Sequence, residues 1–388
     1  MASISKYETK SGKVLYRVQV YMGVNPKTGR KQYKVKRGID SPKKATLVAA
    51  RLELAVNNGD LQAEPSKNVT FREVYEEWYS VYIDTVREST WARTAGMFDN
   101  HILPVFGKMR IAKITRRDVQ EAVKKWFDET TANYRRWYNY VVAVIDYAVE
   151  MEYMKDNPAK GIKLPRHDDL AGDKDENFWT REQLTKFFSC IDKRDDFDIF
   201  IMFRVLAYSA CRRGELLALE WDDVNFKDGS IRINKTVTQG ERGKQIIQST
   251  KTAAGKRTVP IDAETMAYLK EWRHVQQRRM LVLGYNTLQP HQLVFANTKN
   301  GYHCLNTPGK RLRKIMDDNK LEPRISIHGF RHSAISNMLI AGVPITAVQR
   351  IVGHSDPTVI LQTYAHVSEK EERAATNALA DYMAQKTI

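Results

Sequence analysis

The hydrophobic period changes along this chain, and that change limits the fold more than any other feature of the sequence. Between residues 3 and 37 apolar and polar positions alternate, at Val14, Tyr16, Val18 and Val20 and again around Tyr33 and Val35, with the turn Asn25-Pro26-Lys27-Thr28-Gly29 between the runs. A period of two marks a strand with one buried face, so a three-stranded hairpin-based sheet is expected here, followed by a helix from about Pro42. From Thr70 the period becomes helical. Thr70-Phe71-Arg72-Glu73 has the form of a capping box, and Phe71, Val74, Tyr75, Trp78, Tyr82 and Val86 follow at helical spacing. The same spacing returns in Trp91, Ala95, Phe98 and Ile102, after Thr115 in Val119, Val123 and Trp126, and in Tyr134, Trp137, Val141, Ile145 and Ala148. That pattern predicts a four-helix bundle closed by Asn157-Pro158, with its aromatics serving as core rather than as a platform for bases.

Two polar stretches interrupt the pattern, near Ala63 to Asn68 and at residues 166–177, and both read as exposed linkers. Beyond the second, Thr180-Arg181-Glu182-Gln183 repeats the capping-box form ahead of Leu184, Phe187, Phe188 and Ile191. Strand-like runs at Ser230 to Val237, Gln245 to Thr250 and Arg257 to Ile261 predict a three-stranded antiparallel sheet inside an otherwise helical domain. The expected fold is therefore multidomain and mainly α with small antiparallel β-sheets. Its domains are a sheet-plus-helix domain over residues 1–62, a helical bundle over 69–165 and a mixed α/β domain over 175–388.

Charge narrows the partners. The formal net charge is +16, and thirteen basic against four acidic residues fall within the first sixty. A strongly basic chain favours a polyanion, through steering and counterion release. Basic residues interleaved with Tyr16, Tyr21 and Tyr33 on strands suit a DNA-reading module, and Arg17, Arg30, Lys31, Lys34, Lys36 and Arg37 are its candidate contacts. On the bundle, Lys124, Lys125, Arg135 and Arg136 are the candidates for phosphate. No apolar run reaches the roughly 18 residues of a membrane span, and the start MASISKYETK lacks the apolar core of a secretory signal, so no membrane partner and a cytoplasmic location are expected. Cys190, Cys211 and Cys304 fit neither a disulfide framework nor a zinc spacing and read as buried fillers in a reducing compartment.

The last domain carries five ordered pieces: Ser209-Ala210-Cys211-Arg212-Arg213-Gly214-Glu215, Thr250-Lys251-Thr252, His328-Gly329-Phe330-Arg331-His332, Val352-Gly353-His354-Ser355 and Thr363-Tyr364-Ala365-His366. In this order they closely resemble the catalytic signature of the tyrosine recombinases, the phage integrase family. Each piece alone is weak, since an arginine pair, a turn lysine or a helix-face tyrosine has an ordinary structural reading, but five in order are not a chance match. The resemblance implies that Arg212 and Arg331 are the paired arginines, Lys251 the lysine at a strand turn, His328 and His354 the two histidines, and Tyr364 the nucleophile. It places Glu215 behind the arginine site and leaves Arg213, His332 and His366 structural. One departure stands out, Ala210 where many relatives have glycine, and the sequence alone asks there for an ordinary backbone conformation.

The chemistry explains the residue types. Arginine donates two parallel hydrogen bonds to phosphate and keeps its charge, so a pair can clamp the nonbridging oxygens of a scissile phosphate. Tyrosine is a poor nucleophile when protonated and needs a base and a cationic surrounding. His328 is the expected base, Lys251 the acid for the departing 5′-hydroxyl, and His354 a donor to phosphate. His328 and Arg331 are three apart and share a helix face. His328 and His332, four apart, would also suit zinc, but no glutamate follows His328 and no further ligand is offered, so no cofactor is expected.

Beyond the catalytic pieces, the N-terminal sheet resembles the arm-binding domain of phage and conjugative-element integrases, and the bundle resembles their core-binding domain. The resemblance implies a clamp on a core DNA site, a homo-tetramer joining two duplexes through a Holliday junction, and separate arm sites. An excisionase and a host DNA-bending protein are further expected partners. After Tyr364 the apolar face of Ala374, Ala375, Ala378, Leu379 and Tyr382 is expected to form a tail helix exchanged between subunits. Two other readings stay open at this point, a DNA-binding protein without catalysis and a type IB-like topoisomerase.

Overall fold

The alternating start of the chain becomes, in the computed structural model of the protein, an antiparallel meander of β1 (Ala2–Glu8), β2 (Val14–Val24) and β3 (Lys31–Ile39) in the order β1-β2-β3. One helix, α1 (Pro42–Asn57), covers it. Val18, Val20 and Ile39 from the sheet meet Ala45 and Ala49 from the helix in a small core. The structure describes residues 2–9, 12–24, 31–57, 69–130, 132–166, 177–250 and 255–353. The expected turn at 25–29, the first linker, the second linker but for its two end residues, Arg30, Lys251, His354, Tyr364 and the tail segment lie outside the described residues. The chain divides into two units, 1–167 and 168–388.

Register sorts the basic residues of the sheet. Cross-strand partners point to the same side of a sheet. Val18 is opposite Lys36 and Val20 opposite Lys34, whereas Gln19 is opposite Val35 and Tyr21 opposite Tyr33. Lys34 and Lys36 thus share the helix side of the exposed edge strand. The other face carries Arg17, Gln19 and the exposed pair Tyr21 and Tyr33, whose rings lie 5.5 Å apart.

The bundle forms where the helical period predicts it, from α2 (Phe71–Thr85), α3 (Glu88–Met97), α4 (Leu103–Phe106), α5 (Arg116–Glu129) and α6 (Asn133–Glu150). Thr70 accepts from the Glu73 N–H at 3.3 Å, and Glu73 accepts from the Thr70 N–H at 2.7 Å, a reciprocal cap that starts α2. Thr115 and Asp118 make the same pair ahead of α5. The second expected helix is not uniform, because a π-helical turn over Phe98–Ile102 joins α3 to α4 and buries both Phe98 and Ile102. The aromatics are core residues as expected: Trp126 and Trp137 are buried and meet edge to face at 5.7 Å. Truncating such a side chain costs about 3–5 kcal/mol.

The second unit is built around α8 (Phe197–Ser209), which is mostly apolar and buried almost throughout, its Arg204 paired with Asp262 and Glu264. Around it lie α7 (Arg181–Ser189), α9 (Arg213–Leu217), α10 (Ala263–Val282), α11 (Thr307–Asp318), α12 (Ile327–Ile340) and α13 (Ile345–Val352). Phe203 of α8 stacks on Phe330 of α12 at 5.2 Å. The strands depart from expectation, since the three runs make two sheets rather than one. β4 (Val224–Asn225), β5 (Ser230–Ile233) and β8 (Arg257–Pro260) form one, and β6 (Lys235–Gln239) with β7 (Gln245–Ser249) form the other.

The break falls at Asn234, whose side chain turns to Asp223 (3.2 Å) alongside Arg232, while Lys235 reaches the other oxygen of the same carboxylate at 2.9 Å. Asp223 therefore anchors the bend between the two sheets. Of the cysteines expected to be buried, Cys211 is, Cys190 is partly so, and Cys304 is exposed. No helix among the described residues is long and apolar enough to cross a membrane.

Candidate active site

Helix α8 ends abruptly. Ser209 donates its hydroxyl back to the Val205 carbonyl at 2.6 Å, and Ala210 then takes the left-handed conformation, φ 52° and ψ 23°. The ordinary backbone expected at Ala210 is thus corrected. A left-handed L-residue costs roughly 1–2 kcal/mol, so the glycine common in relatives answers a real constraint that this chain meets with alanine. The turn presents the Ala210 carbonyl to Arg331 and delivers Arg212, extended at φ −77° and ψ 153°, to the start of α9. Gly214 allows α9 to lie against β6, because a Cβ there would sit 2.4 Å from the Thr236 hydroxyl and 2.5 Å from the Val237 carbonyl.

Glu215, at the third position of α9, reaches back as a helix-capping carboxylate. It accepts the Arg212 N–H at 2.9 Å through Oε2 and the Arg212 Nη1 at 2.9 Å through Oε1. Oε2 also accepts Nη2 of Arg257, the first residue of β8, at 2.9 Å. The Glu215 side chain is 3% exposed, that of Arg257 5%, and that of Arg212 43%. Burial alone would raise the pKa of Glu215. The Arg257 charge and hydrogen bond, then the Arg212 N–H and charge, outweigh that and hold its carboxyl below the usual value.

Arg331 approaches from the second turn of α12 and is 1% exposed. Its Nη1 donates to the Ala210 carbonyl at 2.7 Å and its Nη2 to the Val352 carbonyl at 2.8 Å. Its Nε is buried with no hydrogen-bond partner among the described residues. Two of the five guanidinium N–H donors are committed to these carbonyls, so the group keeps donors for another acceptor. Its pKa is pushed down to about 9, first by burial and then by Arg212 and Arg257, and it stays charged at neutral pH. Two guanidinium groups bond to Glu215 and the charge of a third, that of Arg331, is felt beside them, an excess of positive charge suited to an anion.

Helix α12 also carries His328, so the expected pair His328 and Arg331 stands one turn apart on one helix. His328 is exposed, with its ring edge-on to that of His332 at 4.7 Å. His332 is partly buried, and burial, then the Arg331 charge, lowers its pKa. The start of α12 is held against residues 177–179. Asn177 accepts from the Ser326 N–H at 2.8 Å, and the Trp179 N–H donates to the Ser333 hydroxyl at 2.7 Å. Gly329 makes this approach possible, since a Cβ would lie 2.8 Å from the Asn177 side-chain oxygen.

The described half of the expected catalytic set, Arg212, His328 and Arg331, lies on α12 and the turn from α8 to α9; Lys251, His354 and Tyr364 are outside the described residues. Ser249 and Lys256, on either side of the undescribed residues 251–254, line an open cleft of about 700 Å³ with Arg232, Asn234, Lys235 and Arg257. Among the described residues, one group of three potential metal ligands comes together, Glu220, Asp222 and His291, and it includes neither His328 nor His332. Glu220 there is paired with Lys235 at 2.8 Å.

Sequence reading missed Arg257. The residue looks like any other strand arginine, and only its burial against Glu215 sets it apart.

The expected DNA contacts are less uniform than the sequence suggests. Lys31, Lys34, Lys36, Arg37, Lys124, Lys125 and Arg136 are exposed. Arg17 is partly buried and donates to Gln19 at 2.6 Å. Arg135 folds back onto the Tyr134 hydroxyl (2.8 Å) and the Pro165 carbonyl (3.2 Å), which ties its guanidinium to its own bundle.

Three family patterns match the chain in order. The Arm DNA-binding domain covers residues 4–56, the Phage integrase N-terminal SAM-like domain 70–127, and the Phage integrase family pattern 177–371. Among curated relatives, a protein named tyrosine recombinase XerC-like from Caldanaerobacter subterraneus is 26% identical over 98% of this chain and 99% of its own length. The ICEBs1 integrase of Bacillus subtilis is 25% identical over 95% of this chain and 97% of its own length. In fold, the chain is similar to the Tn1549 transposon integrase solved with a circular intermediate DNA (TM-score 0.65, 17% identity, 80% of this chain, 99% of that one). It is also similar to a lambda integrase tetramer bound to a Holliday junction (TM-score 0.57, 14% identity, 92% of this chain, 93% of that one). With the catalytic pattern spanning half of its length around the arginine cluster, and the two other domain patterns preceding it in order, the chain belongs to the phage integrase family of tyrosine recombinases.

Proposed function

We propose that this chain is the integrase of a mobile element, a site-specific recombinase that breaks and rejoins DNA through a 3′-phosphotyrosine on Tyr364. The observation that carries the reading is the arginine cluster: Arg331, 119 residues from Arg212 in sequence, donates to the Ala210 carbonyl two residues before Arg212, and Glu215 holds the Arg212 guanidinium. In this reading both guanidinium groups hold the scissile phosphate, Arg331 with the donors left over from its two carbonyls. The phenol oxygen of Tyr364 forms a bond to phosphorus as the bond from phosphorus to the 5′ oxygen breaks. His328 takes the phenolic proton, Lys251 gives a proton to the departing 5′ oxygen, and His354 donates to a nonbridging oxygen. The phosphotyrosine conserves the bond energy, and attack by the 5′-hydroxyl of a second strand reverses the step.

The same reading assigns the sheet at residues 4–56 to arm DNA, the bundle to core DNA, and the assembled enzyme to four protomers that pass two duplexes through a Holliday junction in the bacterial cytoplasm. An excisionase and a host bending protein belong to the same scheme. A duplex recovered from a random pool by binding to the full chain, nicked next to the cleavage position, tests it. Covalent protein–DNA product is expected with the wild type and not with Tyr364→Phe, and two such duplexes are expected to exchange strands. Binding without covalent product would overturn the catalytic assignment, and relaxation of supercoils without exchange would favour a topoisomerase.

A further inference from the structure

We propose that Arg257 is a positioning residue of strand transfer: it bridges the carboxylate that orients Arg212 to the end of α13, so that the arginine cluster and that helix end are set as one unit. The inference rests on the reading above that Arg212 holds the scissile phosphate. All three nitrogens of the Arg257 guanidinium are engaged, two of them with the helices α13 and α9 and one with the residue two places before it. Nε donates to the Ile351 carbonyl at 2.7 Å, Nη1 to the Gly255 carbonyl at 3.2 Å, and Nη2 to Glu215 at 2.9 Å.

The first bond matters because Ile351 lies in the last turn of α13, where helix carbonyls lack partners within the helix. The next carbonyl, that of Val352, is taken by Arg331. Two cations from separate elements, β8 and α12, therefore close the same helix end, where the helix dipole favours positive charge. Both return to the same six-residue stretch, Arg331 to Ala210 and Arg257 to Glu215. The second bond matters for a different reason. Gly255 packs so close to Thr250, the residue before Lys251 in sequence, that a Cβ would lie 2.7 Å from the Thr250 Cβ. Arg257 thus holds Gly255, which lies against Thr250.

A stabilising role alone would not need this arrangement. Replacing a buried ion pair by apolar side chains is often neutral or favourable to stability. What an apolar residue cannot supply is a rigid planar fork with three separate directions, and lysine, with one flexible point charge, cannot supply it either.

The test uses the full-length chain and the nicked duplex described above, comparing wild type with Arg257→Gln, Arg257→Lys, Glu215→Gln and the double variant Glu215→Gln/Arg257→Gln. Three quantities are read: affinity for the duplex, single-turnover rate of covalent trapping, and melting temperature. Arg257→Gln is expected to slow trapping about 100-fold, the loss typical when a group that meets the reacting atoms is misplaced by about 1 Å, while affinity changes by less than about 3-fold. Arg257→Lys is expected to melt near the wild type yet trap about 10-fold more slowly, because charge is restored and the fork is not. The double variant is expected to be little slower than the worse single variant, as for groups acting in one unit.

Wild-type trapping rates in both Arg257 variants would overturn the proposal, as would full rescue by lysine. A loss of rate matched by equal losses of affinity and melting temperature in both variants would reduce Arg257 to a structural residue. A wild type that forms no Tyr364-dependent product would overturn the functional reading, and this inference with it.

Discussion

The cations of the N-terminal sheet and those around Glu215 carry the same formal charge and live in opposite surroundings. Lys31, Lys34, Lys36 and Arg37 stand in solvent on an edge strand. Arg257 and Arg331 are almost wholly buried and spend their donors on a carboxylate and on backbone carbonyls. Exposed charge is screened within about 10 Å at 0.1 M salt and adapts to whatever phosphate arrives. Buried charge has lost its water already and acts from a set position at little further cost. On the proposed reading the sheet serves attraction and register, and the cluster serves chemistry.

Five experiments would break or sharpen that contrast. Arg331→Lys is expected to cut the rate of covalent trapping by about 10³-fold, since one ammonium cannot keep both the Ala210 and Val352 carbonyls and also meet a phosphate; a loss below about 10-fold would mean that charge alone suffices there. Glu215→Ala is expected to lower unfolding free energy by about 3–5 kcal/mol, measured by urea titration, because it leaves Arg257 buried without its counter-charge. The same carboxyl has a pKa below its ordinary 4.5, so its contribution is complete above that pH and disappears as pH falls through the lower folded value. Wild type and Glu215→Gln should therefore converge in stability at acid pH.

The sheet should respond through salt instead. The triple variant Lys34→Gln/Lys36→Gln/Arg37→Gln is expected to fold normally, to trap a core duplex at the wild-type rate, and to bind arm DNA with a salt slope smaller by about 0.9 for each phosphate it no longer neutralises. An unchanged slope would remove these three from the interface. Smallest of all, Ala210→Gly is expected to change stability by less than about 1 kcal/mol, because relief of the left-handed backbone is offset by removal of a buried methyl and a more flexible unfolded chain. Destabilisation beyond about 2 kcal/mol would show that the methyl packing outweighs the backbone strain.

Much of this was legible in the residues themselves. Capping boxes at Thr70 and Thr180, and the helical spacing of Phe71, Val74 and Tyr75, are local signals, and local signals survive into the fold. The motif order was legible through its resemblance to the family signature, and phosphate chemistry explains the residue types in it. What failed depended on partners outside the local pattern. The run from Ser230 to Val237 reads as one strand, but Asp223 draws Arg232, Asn234 and Lys235 to itself and bends it into two sheets. Lys34 and Arg17 look equivalent in a basic strand, and only the pairing register puts them on opposite faces.

By itself the sequence determined the kinds of element and their order, which follow from spacing over a few turns of chain, while the residues proposed to meet a phosphate came from the resemblance of its ordered motifs to the family. Tertiary structure alone decided that Ala210 must turn left-handed, that Arg257 joins Glu215 to the end of α13, and that Arg331 is spent in part on carbonyls from two distant elements. The physical reason is separation. The Arg331 to Ala210 bond spans 121 residues and the Arg257 to Glu215 bond 42, and such contacts are chosen by how helices and strands pack, not by the residues beside them in the chain.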